Sequence, residues 1–248
     1  MKPTVLITGA AGGIGSATAR VFQTAGWHVI GVDRSAQDLP GVDHFIQADI
    51  SSAEESAAIF EEVARSEGQL TALVNNAAVQ ICKPLVETTP DEWDLVMGSN
   101  LRSIYLAVRH AFPLMKEQGG AIVNVGSVHA VATSANIAAY AASKGAVLAL
   151  TRALAIELTP YRIRVNTVLP GAVDTPMLHS GLRRGHVEGD NIYELVRALG
   201  ARHVIGRVGQ PEEIGQAILF LADELRSSFI TGQSIIVDGG ATARLSTE

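Results

Sequence analysis

Short apolar runs that alternate with amphipathic stretches are the main pattern in this sequence. Seven runs of four to six residues predict strands: Val5–Thr8, His28–Val32, His44–Ala48, Ala72–Asn75, Ala121–Val125, Arg164–Leu169 and Ser234–Val237. Five stretches between them carry apolar residues at helical spacing: Gly15–Ala25, Ser52–Ser66, Pro90–Lys116, Ala139–Leu158 and Pro211–Asp223. Alternating strands and helices indicate a parallel sheet covered on both faces. The sequence therefore predicts a doubly wound α/β sheet in a three-layer α/β/α arrangement.

Length and composition favour a single globular domain over residues 1–248. The chain is 47% hydrophobic and 18% charged, and it contains no repeat or linker. The segment 177–208 breaks the alternation and is rich in Gly, Arg and His. Such an insertion is typical of a substrate lid or of a surface excursion, and we expect a lid.

The charge pattern disfavours two classes of partner. The net charge is −6, and no tract of five basic residues occurs, so neither nucleic acid nor an anionic membrane is an expected partner. Neither a signal peptide nor an apolar run long enough to span a membrane is predicted. The one cysteine, Cys82, suits a reducing cytoplasm and is interpreted as a small apolar residue. No metal ligands are predicted.

A glycine-rich segment, Thr8-Gly9-Ala10-Ala11-Gly12-Gly13-Ile14-Gly15, directly follows the first predicted strand and opens a helix. Glycines at 9, 13 and 15 allow a tight turn and a close backbone approach to a pyrophosphate. The backbone N–H groups at the helix start, including that of Ile14, would face the phosphates. The segment therefore predicts a dinucleotide site in a Rossmann-type sheet.

Acidic residues after the next two strands narrow the choice of dinucleotide. Asp33 ends the second strand, 18 residues beyond Gly15, where a carboxylate accepts hydrogen bonds from the adenosine ribose. It would repel a 2′-phosphate, so NAD is predicted rather than NADP. Arg34 is interpreted as a solvent-facing residue beside the adenine. Asp49, with Ile50 next to it, accepts from the adenine amino group or, alternatively, Asp49 or Ser51 begins a helix.

Tyr140 and Lys144 predict a site of proton transfer. They are four residues apart in a predicted helix, so the phenol and the ammonium share one face. A tyrosine titrates near pH ~10 and is a poor base at neutral pH. The ammonium should lower the pKa of Tyr140 toward the working range. Ser127, at the end of the preceding strand, is placed to hold a reacting oxygen.

These motifs together make the chain resemble the short-chain dehydrogenase/reductase family over essentially its whole length. The glycine pattern matches the family's Thr-Gly-x-x-x-Gly-x-Gly. Asn75-Asn76-Ala77-Ala78 matches its Asn-Asn-Ala-Gly, with Ala78 replacing the glycine, and the asparagines stabilise the sheet in the family. Pro170-Gly171-Ala172-Val173-Asp174-Thr175 matches the loop that holds the nicotinamide carboxamide.

The resemblance implies a role for each matching residue. Tyr140 would be the general acid/base and Ser127 would orient the substrate oxygen. Lys144 would bind the nicotinamide ribose and lower the pKa of Tyr140. Asn100, in a helix expected to kink there, would hold a water that relays protons to Lys144. The resemblance also implies further cofactor contacts at Asn76, Ala77, Pro170, Gly171, Val173 and Thr175.

Two polar residues bear on the substrate. Gln80 and His129 resemble carboxylate-binding residues of D-3-hydroxybutyrate dehydrogenases in this family, but Ile137 stands where those enzymes have a lysine. A sugar or polyol is therefore favoured over a short hydroxy acid, and Arg183 or Arg184 in the lid is a candidate to replace the missing cation. A purely structural role for His129 stays open.

The same motifs argue against two competing functions, a non-catalytic scaffold and an enoyl reductase. A non-catalytic NAD-binding scaffold should have lost part of the Asn, Ser, Tyr and Lys set, and this chain keeps all four. Enoyl reductases of the superfamily space the tyrosine and lysine more widely, so the spacing favours an alcohol/carbonyl oxidoreductase. The resemblance also implies a homotetramer, assembled through Pro90–Lys116, Ala139–Leu158 and the region near Gly232–Gly240.

Overall fold

The computed structural model describes residues 2–35, 39–182, 189 and 191–243. Within these residues, seven parallel strands form one sheet in the order β3-β2-β1-β4-β5-β6-β7. The strands are β1 (Thr4–Thr8), β2 (His28–Asp33), β3 (His44–Gln47), β4 (Ala72–Asn75), β5 (Gly120–Val125), β6 (Ile163–Pro170) and β7 (Ser234–Val237). The direction of winding reverses between β1 and β4, which opens a crevice at their carboxyl ends. The predicted doubly wound α/β sheet is confirmed.

Nine α-helices lie in the described ranges, and some of them begin at clear helix-start signals. They are α1 (Gly13–Thr24), α2 (Ala53–Ser66), α3 (Pro90–Met97), α4 (Ser103–Met115), α5 (Ala138–Leu158), α6 (Pro176–Leu182), α7 (Ile192–Gly200), α8 (Pro211–Ala222) and α9 (Glu224–Ser227). Thr89 and Glu92 form a reciprocal capping box on α3. None of the helices in the described ranges is long and apolar enough to cross a membrane.

Two apolar layers cover the sheet, one on each face. Leu6, Leu73 and Ile122 belong to a cluster formed with α2, α4 and α5. The neighbouring residues Ile7, Val74 and Val123 belong to a second cluster, formed with α1 and α8. Successive residues of a strand point to opposite faces, so a strand that feeds both layers must be apolar throughout. This explains the continuous hydrophobicity of these strands.

The predicted helix Pro90–Lys116 contains a π-helical turn at its centre. This turn, Gly98–Arg102, joins α3 to α4 with no non-helical residue between them, so the predicted helical stretch is present through Met115, and the irregularity expected at Asn100 is the π-helical turn. Gly98 is a poor helix former, and the wider turn accommodates tertiary hydrogen bonds of the Asn100 side chain.

A buried chain of polar side chains ties the centre of the sheet to α5. Asn75 Nδ2 donates to Asn124 Oδ1 at 2.8 Å, and Asn124 Nδ2 donates to Thr151 Oγ1 at 2.9 Å. Thr151 and Thr167 share a further hydrogen bond of 2.6 Å. These bonds link β4, β5, α5 and β6, which agrees with the sheet-stabilising role expected of Asn75. Fully paired polar groups of this kind hold neighbouring elements in one register.

Candidate active site

A cleft of about 700 Å³ runs along the carboxyl ends of the strands. Its walls come from the glycine-rich segment, from the loops after β2 to β6, and from α6 and α7. Two predicted residues, Gly15 and Asn100, lie outside its lining. The others line it: Gly9, Gly13, Ile14, Asp33, Arg34, Asp49, Ile50, Asn76, Ala77, Gln80, Ser127, His129, Tyr140, Lys144, Pro170, Gly171, Val173 and Thr175.

The glycine-rich segment forms a tight turn fixed from two sides. Gly9 has a φ of 66°, which favours glycine. A Cβ added at Gly13 would lie 2.6 Å from Thr175 Cγ2, so only glycine lets the loop after β6 approach this closely. Asn76 Nδ2 donates to the carbonyl oxygens of Thr8 and Gly9, each at 3.0 Å. The turn is therefore held open toward the cleft.

Asp33 lies beside this turn. Its Oδ2 accepts from the backbone N–H of Ala11 and its Oδ1 from that of Ser35, both at 3.0 Å. The carboxylate therefore borders the N-terminus of α1. An anion-binding helix start next to a fixed carboxylate fits the phosphates and the ribose of a dinucleotide.

Arg34 and Asp49 lie close together along the same wall. Arg34 Nη1 is 3.7 Å from Asp49 Oδ2, and Asp49 Oδ1 accepts from both the N–H and the hydroxyl of Ser51. Burial raises the pKa of Asp49, but the hydrogen bonds from Ser51 and the charge of Arg34 outweigh burial and lower it. The cap of α2 is Ser52, so the alternative that Asp49 or Ser51 caps this helix is wrong.

Ser127, Tyr140 and Lys144 come together at the middle of the cleft. Ser127 follows β5 and hydrogen-bonds the Tyr140 side chain, and all three residues are buried. Lys144 Nζ lies 5.6 Å from the centroid of the Tyr140 ring and donates to the carbonyl oxygen of Val125 at 2.7 Å. The shared helix face that the spacing predicts is thus present.

The acid–base balance of this group differs from the prediction. Burial raises the pKa of Tyr140 to about 12, although the hydrogen bond to Ser127 lowers it. Burial also lowers the pKa of Lys144 to about 8. The predicted shift of the Tyr140 pKa into the working range is therefore wrong for the protein alone, because loss of hydration disfavours the phenolate more than its neighbours favour it.

Asn100 lies outside the lining of the cleft and connects two of the elements that form it. Its Oδ1 accepts from Val79 N at 2.8 Å, and its Nδ2 donates to Val79 O and to Ser143 Oγ, both at 3.0 Å. The side chain is fully buried. It joins the loop after β4 to α5 directly next to Lys144, while the proton relay through a water stays a prediction.

Gln80 and His129 both line the cleft, and His129 contacts Tyr140. The His129 ring meets the Tyr140 ring edge-on, with centroids 5.9 Å apart. Gln80 Nε2 donates to Cys82 Sγ at 2.8 Å, and a Cβ added at Gly181 would lie 2.9 Å from the same nitrogen. Helix α6 therefore covers Gln80. Ile137 is fully buried, so the position occupied by lysine in hydroxybutyrate enzymes carries no cation here.

The expected lid is described only in part. It contains α6 and α7, which contact each other, whereas Arg183 and Arg184 lie outside the described residues. The far wall of the cleft also includes residues that the motifs did not indicate: Leu182, Leu199, Arg202, His203 and Ala241. For two of these residues, Arg202 and His203, the only sequence signal was the enrichment of the segment 177–208 in Arg and His.

A comparison with known protein families identifies the family of this chain. The family model described as "Enoyl-(Acyl carrier protein) reductase" matches residues 9–242, which is nearly the whole chain. The chain belongs to the short-chain dehydrogenase/reductase family. The predicted resemblance is confirmed.

Several relatives of this short-chain dehydrogenase/reductase are named as alcohol dehydrogenases. It is 38% identical over 204 residues to cyclopentanol dehydrogenase of Comamonas sp. (strain NCIMB 9872), covering 82% of this chain and 78% of that protein. It is also 38% identical over 250 residues to cis-4-hydroxycyclohexanecarboxylate dehydrogenase of Sinomonas cyclohexanicum, covering 96% of each.

A solved structure with the same fold is the ligand-free aldohexose dehydrogenase of Thermoplasma acidophilum. The TM-score is 0.91 at 31% identity, with 99% of this chain and 96% of that chain covered. Together with the curated relatives, this makes the protein an oxidoreductase of the short-chain family that acts on CH–OH groups and takes a small-molecule substrate and a nicotinamide cofactor.

Proposed function

We propose that this protein interconverts a secondary alcohol and a carbonyl on a sugar, a polyol or a related polyhydroxylated compound, with NAD as the cofactor. The observation that carries the proposal is the buried group of Ser127, Tyr140 and Lys144 at the middle of the cleft. A hydroxyl, a phenol and an ammonium arranged in this way serve proton transfer at a substrate oxygen.

In oxidation, the phenolate form of Tyr140 would take the proton of the substrate hydroxyl. The electron pair of that O–H bond would form the second carbon–oxygen bond, while the C–H bond at the same carbon breaks and its electron pair leaves with the hydrogen as hydride. Ser127 hydrogen-bonds Tyr140. It would also hydrogen-bond the substrate oxygen and so fix the distance between that oxygen and the phenol. Lys144 stabilises the phenolate by its charge. In reduction the same phenol returns the proton. A bound nicotinamide supplies the hydride acceptor or donor.

The residues along the other half of the cleft fit that cofactor. The N–H groups at the start of α1 favour phosphates, and Asp33 favours free ribose hydroxyls over a 2′-phosphate. The loop from Pro170 to Thr175, packed against Gly13, would hold the nicotinamide end. NAD rather than NADP is therefore the proposed cofactor.

Neutral polar residues support the choice of a polyhydroxylated substrate. His129 lies beside Tyr140, Gln80 lines the same cleft, and Ile137 supplies no charge. The likeness to an aldohexose dehydrogenase is in keeping with such a substrate. A short hydroxy acid is the second candidate, favoured by the likeness to a hydroxycyclohexanecarboxylate dehydrogenase.

A substrate screen tests the proposal. NADH formation is followed at neutral to alkaline pH over aldoses, polyols and short hydroxy acids. Tyr140→Phe should lower turnover by about 10²- to 10⁴-fold while NADH binding is retained. Tyr161→Phe, outside the cleft, is the matched control. Unchanged turnover by Tyr140→Phe contradicts the mechanism, and NADH binding without turnover of any alcohol supports the non-catalytic scaffold instead.

Assembly as a homotetramer and a cytoplasmic location remain predictions from the sequence. Exposed apolar side chains on two of the expected contact regions favour assembly. Ile156 lies exposed on α5 and Ile236 is exposed on β7.

A further inference from the structure

His203 is a buried histidine at the far wall of the cleft. It follows α7 and is 5% exposed. Its ring packs against the backbone after β7, since a Cβ added at Gly239 would lie 3.6 Å from His203 Cδ2. The residue lines the cleft that also contains Tyr140. It has no part in the proton transfer proposed above.

One nitrogen of the His203 ring is already used. Nδ1 lies 3.0 Å from the carbonyl oxygen of Leu199. A carbonyl oxygen only accepts, so Nδ1 must carry the hydrogen. In the neutral ring, Nε2 is then an acceptor with its lone pair available.

The other nitrogen makes no hydrogen bond within the described residues. Among the hydrogen bonds of residues 2–35, 39–182, 189 and 191–243, none uses His203 Nε2, although the charge of Asp238 acts on the ring. Nε2 is not a fully buried atom, and His203 lines the cleft, so a group bound in the cleft can donate a hydrogen bond to Nε2. The same cleft is lined by the apolar Leu182, Leu199 and Ala241 and by the charged Arg202.

We infer that His203 Nε2 accepts a hydrogen bond from a second hydroxyl of the substrate, away from the carbon that Tyr140 serves. The inference rests on the proposed function, because it assumes that the first hydroxyl binds at Ser127 and Tyr140. A hydroxyl can donate to Nε2, whereas a carboxylate or an unsubstituted ring carbon cannot. His203 thus selects polyols over simple alcohols and over hydroxy acids.

The test compares cyclohexanol with its 1,2-, 1,3- and 1,4-diols, which place a second hydroxyl at three distances from the first. Binding is measured by calorimetry with and without NADH, and kcat/KM is measured in parallel. His203→Asn keeps a donor for the Leu199 carbonyl but lacks Nε2, and His203→Leu removes both. His28→Leu, at the start of β2 and outside the lining of the cleft, is the matched control.

The wild-type protein should bind at least one diol about tenfold more tightly than cyclohexanol. His203→Asn should remove this preference and leave cyclohexanol binding unchanged, with an unaltered melting temperature. If the preference survives in His203→Asn, if both ligands weaken equally, or if the wild type shows no preference, the inference is overturned. A preference that depends on His203 in a protein without turnover supports the inference and refutes the proposed function.

Discussion

The burial of Lys144 in the candidate active site destabilises the folded state. Its ammonium is removed from water, and burial lowers its pKa from 10.5 to about 8. Its hydrogen bond to Val125 O replaces only part of the lost hydration. The same burial raises the pKa of Tyr140, so burial disfavours the charged form of both residues, the ammonium of Lys144 and the phenolate of Tyr140. Strain of this kind is typical of functional sites.

Replacing Lys144 by methionine should therefore stabilise the protein while removing activity. Below the folded pKa of about 8, the charged lysine is penalised in full, by about 3 kcal/mol. Between that value and 10.5, the unfolded chain holds a proton that the folded chain lacks, so wild-type stability rises with pH. Urea unfolding should show Lys144→Met as more stable at pH 7, with the difference vanishing near pH 10.5.

The exposed Lys116 provides the comparison for this measurement. Lys116→Met should change the free energy of unfolding by no more than about 0.5 kcal/mol at either pH, because its side chain is partly solvated in the fold. A Lys144→Met protein that is less stable than the wild type at pH 7 would show that the hydrogen bond to Val125 outweighs the burial of charge.

Asp33 carries the prediction on cofactor choice. Asp33→Asn removes the negative charge but keeps an oxygen for the Ala11 N–H, so the turn beside it should survive. The ratio of kcat/KM for NAD to that for NADP should fall by about tenfold or more, mainly through a lower KM for NADP. A wild-type preference for NADP would refute the assignment of Asp33. Ser35→Ala serves as the neighbouring control.

The sequence predicted the positions of these residues but not their energetics. Tyr140 and Lys144 share a face because the helical period is a local property. Their pKa values depend on how completely strands and loops from other parts of the chain exclude water, and spacing holds no information on that. This is why the expected lowering of the Tyr140 pKa was wrong.

At the level of elements, the contact between the glycine-rich turn and the loop after β6 can be tested by a double mutant. Gly13→Ala puts a methyl group 2.6 Å from Thr175 Cγ2, and NADH affinity should fall by about tenfold. Thr175→Ser removes that methyl group but keeps the hydroxyl that accepts from Leu178 N. The double variant should regain part of the lost affinity. Additive losses would show that the two loops act independently.

The π-helical turn between α3 and α4 shows where local pattern falls short. Gly98 and Ser99, which precede Asn100, indicated a kink, since both are poor helix formers. The type of turn depends on Val79, which lies in a loop outside this helix and hydrogen-bonds both polar atoms of the Asn100 side chain. The apolar period of Pro90–Lys116 continues through the turn, so periodicity alone did not indicate it.

For the whole molecule, the predicted homotetramer should have a mass of four times 26.1 kDa in light scattering. Ile156, exposed on α5, lies in a predicted contact region. Ile156→Asp should shift the protein to a smaller species, because a carboxylate in an apolar interface loses its hydration. Val86→Asp, an equally exposed site outside the predicted regions, should leave the mass unchanged. A monomeric wild type would refute the tetramer.

The fold class was within reach of the sequence because the strands and several helices carry their own local patterns. The far wall of the cleft was not, because Ala241 reaches it from beyond β7 and His203 from beyond α7. Neither residue belongs to a motif, and only the completed fold brings them to the cleft that Tyr140 also lines. In the proposed function this wall takes part in substrate choice, which is why the substrate was the hardest feature to predict.

The hydrogen bonds from Asn76 to Thr8 and Gly9 also have a consequence for synthesis on the ribosome. A nascent chain emerges N-terminus first, so the turn after β1 exists long before the residue that braces it. Thr175, which packs on Gly13, arrives about a hundred residues later still. The glycine-rich turn therefore reaches its final shape only after most of the chain has left the exit tunnel, so a nicotinamide cofactor would stabilise late rather than early folding intermediates.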